Sequence, residues 1–293
     1  MDKTSKVTPY ITAGITVLLW ASAFPAIRYS LLYYSPETVM LFRFLVASVV
    51  LLGYCAIKKV QLPKKEDLPL FMWSGITGFF IYMWAMNAGT AQVVSGISSF
   101  IIATVPLFTL ILSIVFLKEK SNWSIWIGVG VSLLGIIIIA ATQVTEMQVN
   151  IGIWLLLIAS VSASVYLILQ RRLLEKYTTI QATTYSMAFG TAFMCIFVPR
   201  LVSEFSFEYV TTNVIIVYLG VFPAALAYFF FGYALSKAEK TIYVTSLLYL
   251  VPFVTSLLAF WWLGEQVPLV AFGGGFVIIF GMVIINVFKS KKP

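Results

Sequence analysis

The chain contains one stretch twice. Residues 104–135 and 250–281 align without a gap at an offset of about 146 residues, and a repeat restricts the fold more than any local motif. Val105, Pro106, Thr109, Leu112, Leu117, Glu119, Gly128, Val131 and Gly135 fall on Val251, Pro252, Thr255, Leu258, Leu263, Glu265, Gly274, Val277 and Gly281. Shared Leu and Val carry little information in an apolar chain. Shared Pro, Thr, Glu and two Gly at fixed spacing carry much more. The chain reads as a duplication, with repeats over residues 1–146 and 147–293.

The solvent of this fold is lipid. Hydrophobic residues make up 61% and charged residues 10%, with a mean hydropathy of +0.98, whereas soluble domains run near 25% charged. A span needs roughly 20 apolar residues. Ten such runs are predicted, over residues 10–28, 36–57, 68–87, 93–117, 123–142, 151–170, 180–198, 214–235, 241–263 and 267–288. The loops leave no room for a soluble domain. Lys3, Lys6 and the Ala21-Ser22-Ala23 triplet imitate a signal peptide. The nine further spans argue for a retained first helix.

The net charge of +8 does not indicate nucleic acid, because the basic residues fall on alternate loops. With the N-terminus in the cytoplasm, sixteen of the nineteen Lys and Arg lie on the cytoplasmic side. Only Arg28 and Arg200 fall outside, and Arg43 lies within a span. That bias sets orientation in a bilayer. It predicts a multi-pass protein of the cytoplasmic membrane with both termini inside. Ten spans in two repeats means five each. Five is odd, so the second copy enters from the opposite face. The expected fold is all-α, with ten transmembrane helices as two inverted five-helix repeats. Secondary transporters use this architecture, with substrate near the midplane.

The chain is similar to the drug/metabolite transporter superfamily, in its ten-span EamA-type branch. The likeness rests on Leu18–Arg28 (LLWASAFPAIR), on Phe42-Arg43-Phe44-Leu45, and on Pro106 and Pro252, each followed by a glutamate 13 residues on. It covers nearly the whole chain and implies export or exchange of amino acids or other small metabolites. The halves are unequal: Trp20 aligns with Ser162, and Arg43 with Tyr185.

Candidate substrate-binding residues follow from polar and aromatic positions inside the spans. Ser95 and Ser99 form a hydroxyl stripe leading to Pro106, and Thr241 and Thr245 the matching stripe leading to Pro252. Such hydroxyls line a cavity or join helices. Tyr82 pairs with Tyr228 at the repeat offset, with Asn87 nearby. Trp20, Phe24, Tyr166 and Tyr249 complete an aromatic set able to hold an amino-acid side chain, or simply to pack. Arg43, alone well inside a span, costs roughly 2.5–3.5 kcal/mol there. Since the resemblance places arginine at this point across different cargoes, it reads as gating or structural, together with Pro106 and Pro252. Gly128, Ser132 and Gly135, with Gly274 and Gly281, are expected to pack within one molecule, so a monomer suffices.

No acidic residue lies inside a span, and there is no histidine. Glu119 and Glu265 read as solvated helix ends. Cys55 and Cys195 lie in apolar runs, so no disulfide, metal or cofactor is expected. The chemistry for a membrane-embedded enzyme is missing. The expected function is a carrier of a small zwitterion, an amino acid above all, moving down its own gradient by alternating access. A phosphorylated or nucleotide-linked sugar, or a drug, is the alternative cargo; the former would call for several intramembrane cations.

Overall fold

A computed structural model describes residues 3–117, 123–142, 144–145, 148–237 and 247–290. Seven helices among them are long and apolar enough to cross a membrane: α1 (Tyr10–Ser30), α2 (Pro36–Ile57), α3 (Lys65–Thr90), α4 (Ser95–Phe116), α6 (Ile151–Leu173), α7 (Thr179–Glu204) and α8 (Val210–Ala234). Three shorter apolar helices accompany them: α5 (Ile125–Ala141), α9 (Leu248–Leu263) and α10 (Leu269–Ile285). Helix is the form these segments must take, because lipid offers the backbone no hydrogen-bond partner. Large apolar side chains such as Trp73, Trp154, Leu134, Leu269 and Phe276 are exposed on the outside. A soluble monomer does not carry so much apolar surface.

Several boundaries differ from the sequence-based expectation. α3 begins with a 3-10 turn at Lys65–Asp67, before the expected Leu68. α7 does not stop at Val198; it continues through Val198–Glu204, so Arg200 and Glu204 are helical rather than in a loop. Pro199 in the first turn starts that segment. Arg200 Nε then bonds Glu204 Oε1 at 2.8 Å, one turn on. The connection before α6 holds a minimal antiparallel ladder pairing Val144 with Val149 and Thr145 with Gln148, a small exception to the all-helical expectation.

α4 and α9 are interrupted at equivalent places. α4 stops at Ile102 and resumes at Val105, with Pro106 in the new first turn. α9 opens with a 3-10 turn, Leu248–Leu250, before Val251–Leu263 with Pro252 in its first turn. A proline is tolerated there, where its missing N–H would lack a helical partner anyway. α3 and α8 share a different irregularity. Each contains a π-helical segment, at Ile76–Ile81 and at Gly220–Leu226. Such segments are rare and concentrate at functional sites.

The long-range contacts are reciprocal. α5 and α10 pack along their glycines: a Cβ at Gly135 would stand 2.6 Å from the Gly274 oxygen, and one at Gly281 2.6 Å from the Gly128 oxygen. The pairing Gly128 with Gly281 and Gly135 with Gly274 makes this an antiparallel crossing. At its centre Ser132 Oγ donates to the Ile278 carbonyl at 3.2 Å, and the two are separated by the repeat offset itself, 146. Between α2 and α7, Ser48 and Thr191 share a hydrogen bond of 2.8 Å, 143 residues apart. The small residues expected to pack within one molecule do so.

Candidate functional site

The centre of the molecule is aromatic. The Phe79 ring, fully buried on the π segment of α3, meets Tyr166 at 5.3 Å, Phe44 at 5.7 Å and Tyr228 at 6.0 Å between centroids. Trp20 meets Tyr228 edge-on at 5.5 Å. These residues come from α1, α2, α3, α6 and α8. Gly78 makes this approach feasible, since a Cβ there would overlap the Tyr166 ring. The expected set of Trp20, Tyr166, Tyr228 and Tyr82 is thus brought together, with Tyr82 packed against the same core and Phe24 buried within it. Phe44 and Phe79 belong to the cluster as well. The sequence signal of Phe79 was helical spacing, which packing alone also produces, and Phe44 stood out only as part of the Phe42-Arg43-Phe44-Leu45 motif.

Arg43 on α2 enters this cluster. It is 3% exposed, and its guanidinium lies 5.3 Å from the Phe44 centroid. Neither Nε nor Nη1 has a hydrogen-bond partner. Tyr185, its counterpart in the second repeat, points elsewhere: its hydroxyl donates to the Val60 carbonyl at 3.4 Å, and its ring meets Phe71.

Beside the cluster lies a cavity of about 200 Å³ between α2, α7 and α8, lined by Leu51, Thr179, Thr183, Tyr228 and Phe229 among others. It lies toward the end of the bundle that carries Lys58, Lys59, Arg171 and Lys176. Thr179 and Thr183 escaped the sequence reading, although an i, i+4 hydroxyl pair at the start of a span was visible. At that same end Asp67 accepts from both Lys176 Nζ and the Tyr177 hydroxyl at 2.7 Å. The bond to Asp67 raises the Lys176 pKa.

The opposite end is tied by charged residues. Glu265 Oε2 accepts from the Ser95 backbone N–H at 2.7 Å, at the start of α4, and Glu265 Oε1 lies 3.4 Å from Arg28 Nε. Arg28 also donates to the carbonyls of Thr90 and Ala91. Glu265 is therefore not the solvated helix end expected from sequence; its side chain is only 11% exposed, because it satisfies an open helix terminus. Glu119 lies outside the described residues. Nearby, Glu37 accepts from the Trp84 indole at 3.0 Å and pairs with Arg200, while Glu204 accepts from Ser35.

The remaining expected residues divide. Ser99 Oγ donates to Gly96 O at 2.7 Å within its own helix, and Ser95 is buried with an unpartnered hydroxyl. Asn87 is buried and donates to Pro36 O at 3.3 Å. Tyr249 packs against the central core. Thr241 and Thr245 lie outside the described residues. Pro106 is exposed on the outer surface while Pro252 is buried, so equivalent positions have unlike surroundings. Among the described residues no three His, Cys, Asp or Glu side chains gather where a metal could bind. The arrangement suits binding of a small molecule: aromatic walls, hydroxyls and one buried cation.

The comparisons with known proteins agree with this geometry. The EamA-like transporter family matches the chain twice, over residues 8–141 and 150–287. The "Uncharacterized transporter YdfC" of Bacillus subtilis (strain 168) is 34% identical over 272 residues, 93% of this chain and 89% of that protein. A "Probable terminal-alkyne amino-acid exporter" of Streptantibioticus cattleyicolor is 36% identical, covering 93% and 91%. A crystal structure with 15% identity superposes with a TM-score of 0.66 over 97% of both chains, which shows a shared fold. With both repeats matched and relatives above 30% identity along nearly its whole length, the chain belongs to the EamA-like transporter family, a multi-pass membrane transporter and not an enzyme.

Proposed function

We propose that the protein carries a small zwitterion, an amino acid, across the cytoplasmic membrane by alternating access. The central aromatic cluster carries this reading: Trp20, Phe79, Tyr166 and Tyr228, drawn from both repeats, pack together, and buried Arg43 lies over the ring of Phe44, which touches Phe79, with no ion pair to it among the described residues. Aromatic walls accept a side chain, and one cation is too few for a phosphorylated or nucleotide-linked sugar. The amino-acid exporter among its relatives supports the same cargo class.

The ten helices would all span the membrane, as two inverted halves over residues 1–146 and 147–293. The antiparallel α5–α10 crossing supports this, because repeat-equivalent helices in inverted halves must run in opposite directions. The basic loops support a cytoplasmic location for both termini. Trp20, Phe24, Tyr82, Asn87, Ser95, Ser99, Tyr166, Tyr228, Thr245 and Tyr249 are the proposed lining, with Pro106 and Pro252 at the moving joints of a monomer.

Counterflow in liposomes tests the reading. Purified protein should exchange labelled amino acid against an internal pool with no pH gradient, because the sequence places no Asp or Glu well inside an expected span. Exchange of sugar phosphates but no amino acid would overturn it. Accumulation driven by an imposed proton or sodium gradient would overturn the uncoupled mechanism alone.

A further inference from the structure

We infer that Arg43 is the anchor for the substrate's carboxylate. This rests on the reading above, that the central cluster is the substrate site. The inference begins with an imbalance. Arg43 is 3% exposed, yet its Nε and Nη1 find no acceptor. A guanidinium carries five N–H donors in a fixed fork and stays charged. Taken out of water it requires an acceptor, and a lone buried charge is among the costliest defects a fold can carry. Among the described residues the acids that are not exposed pair elsewhere: Glu265 with Arg28, Glu37 and Glu204 with Arg200, Asp67 with Lys176. An arginine serving only to hold the bundle together would be expected to use its Nε and Nη1 on neighbouring carbonyls, as Arg28 uses Nη1 on Thr90 and Ala91.

The missing partner is therefore one that comes and goes. Its chemistry follows from the fork, which matches the two oxygens of a carboxylate. The surroundings fit the same ligand. Tyr82 and Tyr228 pack against the same core as Phe44, over whose ring the guanidinium lies, and offer hydroxyl donors for the remaining lone pairs. Tyr228 packs in the same core and also lines the neighbouring cavity. The second repeat has Tyr185 in place of Arg43, bonded to Val60 and away from this centre. One cation in one half makes a site for one carboxylate, with a single orientation.

A stabilising structural residue and a substrate anchor respond oppositely to removal. The test is thermal unfolding of the purified full-length protein in lipid nanodiscs, for wild type, R43Q and R43K. The probes are the twenty common amino acids, L-phenylalaninamide, phenethylamine and 3-phenylpropionate. A ligand of the folded form raises Tm. The expected result is that at least one amino acid raises the wild-type Tm while the amide and the amine do not. Ligand-free R43Q should melt at or above wild type, since a lone buried charge has gone, and should lose the amino-acid response. R43K, with charge but no fork, should need about tenfold more ligand. The anchor is overturned if ligand-free R43Q melts well below wild type. It is equally overturned if R43Q responds as wild type does, if the amide acts as well as the acid, or if no carboxylate acts. Should 3-phenylpropionate act while no amino acid does, the anchor stands and the amino-acid reading falls. Should phenylalanine and its amide act equally, the anchor falls and that reading survives.

Discussion

The indole Nε1 of Trp20 donates to the carbonyl of Pro223 at 3.1 Å, across 203 residues. Ser162, which aligns with Trp20, donates to the carbonyl of Thr77 at 2.8 Å. Thr77 and Pro223 are themselves equivalent at the repeat offset, and each lies in a π segment. The same bond is made twice, each time from one half to the other, by unlike donors. A π segment shifts the helical ladder and leaves a carbonyl open to an outside donor. The inequality of Trp20 and Ser162 in the sequence thus hides an equivalence of role.

Removing either donor should loosen the contact between the halves. W20F, which keeps a ring, and S162A are each expected to cost about 1 kcal/mol, the range of hydrogen bonds inside membranes. Thermal unfolding in nanodiscs reads this out. Both variants melting as wild type would mean that the two carbonyls need no donor.

The α5–α10 crossing predicts a sharp contrast among glycines. G135L and G281L push a side chain into backbone at 2.6 Å and should sharply reduce the yield of folded protein. G130L and G273L enter open space and should be tolerated. Size-exclusion profiles of the four variants decide it, and equal behaviour of the two pairs would refute the close crossing.

Glu265 joins the end of α9 to the start of α4 and to Arg28. E265Q keeps an acceptor for the Ser95 N–H but loses the charge, whereas E265A loses both. The expected order of stability is wild type, then E265Q, then E265A. A carboxylate at a helix N-terminus contributes about 0.3–1 kcal/mol, and more when partly buried. A double-mutant cycle with R28M should show coupling of about 0.5 kcal/mol or more. Additive losses would mean that Arg28 and Glu265 act independently.

Orientation follows from the loops. An impermeant thiol reagent added to intact cells should label a cysteine placed at Glu208 but not one placed at Lys64 or Lys176, in a background lacking Cys55 and Cys195. The reverse pattern would invert the cytoplasmic assignment of the basic loops.

The sequence by itself determined the solvent, the helices and the family. Bilayer lipid forces long apolar segments into helices, so the segments and their rough limits are readable from hydropathy, and duplication is readable from Pro106, Pro252 and the glycines. It also singled out Trp20, Tyr82, Tyr166 and Tyr228, because buried aromatics and paired offsets leave a local trace. Other features depended on partners far away in the chain. Whether an aromatic stripe packs or lines a site depends on what the other half presents, and Phe79 gained its role only from Tyr166 and Tyr228. Glu265 looked solvated until Ser95, 170 residues away, brought it an open helix terminus. Arg43 looked structural because the resemblance places an arginine there across different cargoes, and a charge inside a span needs a partner. Only the tertiary structure left its Nε and Nη1 without one, since hydrogen-bond satisfaction is a property of the assembled surroundings and not of any segment.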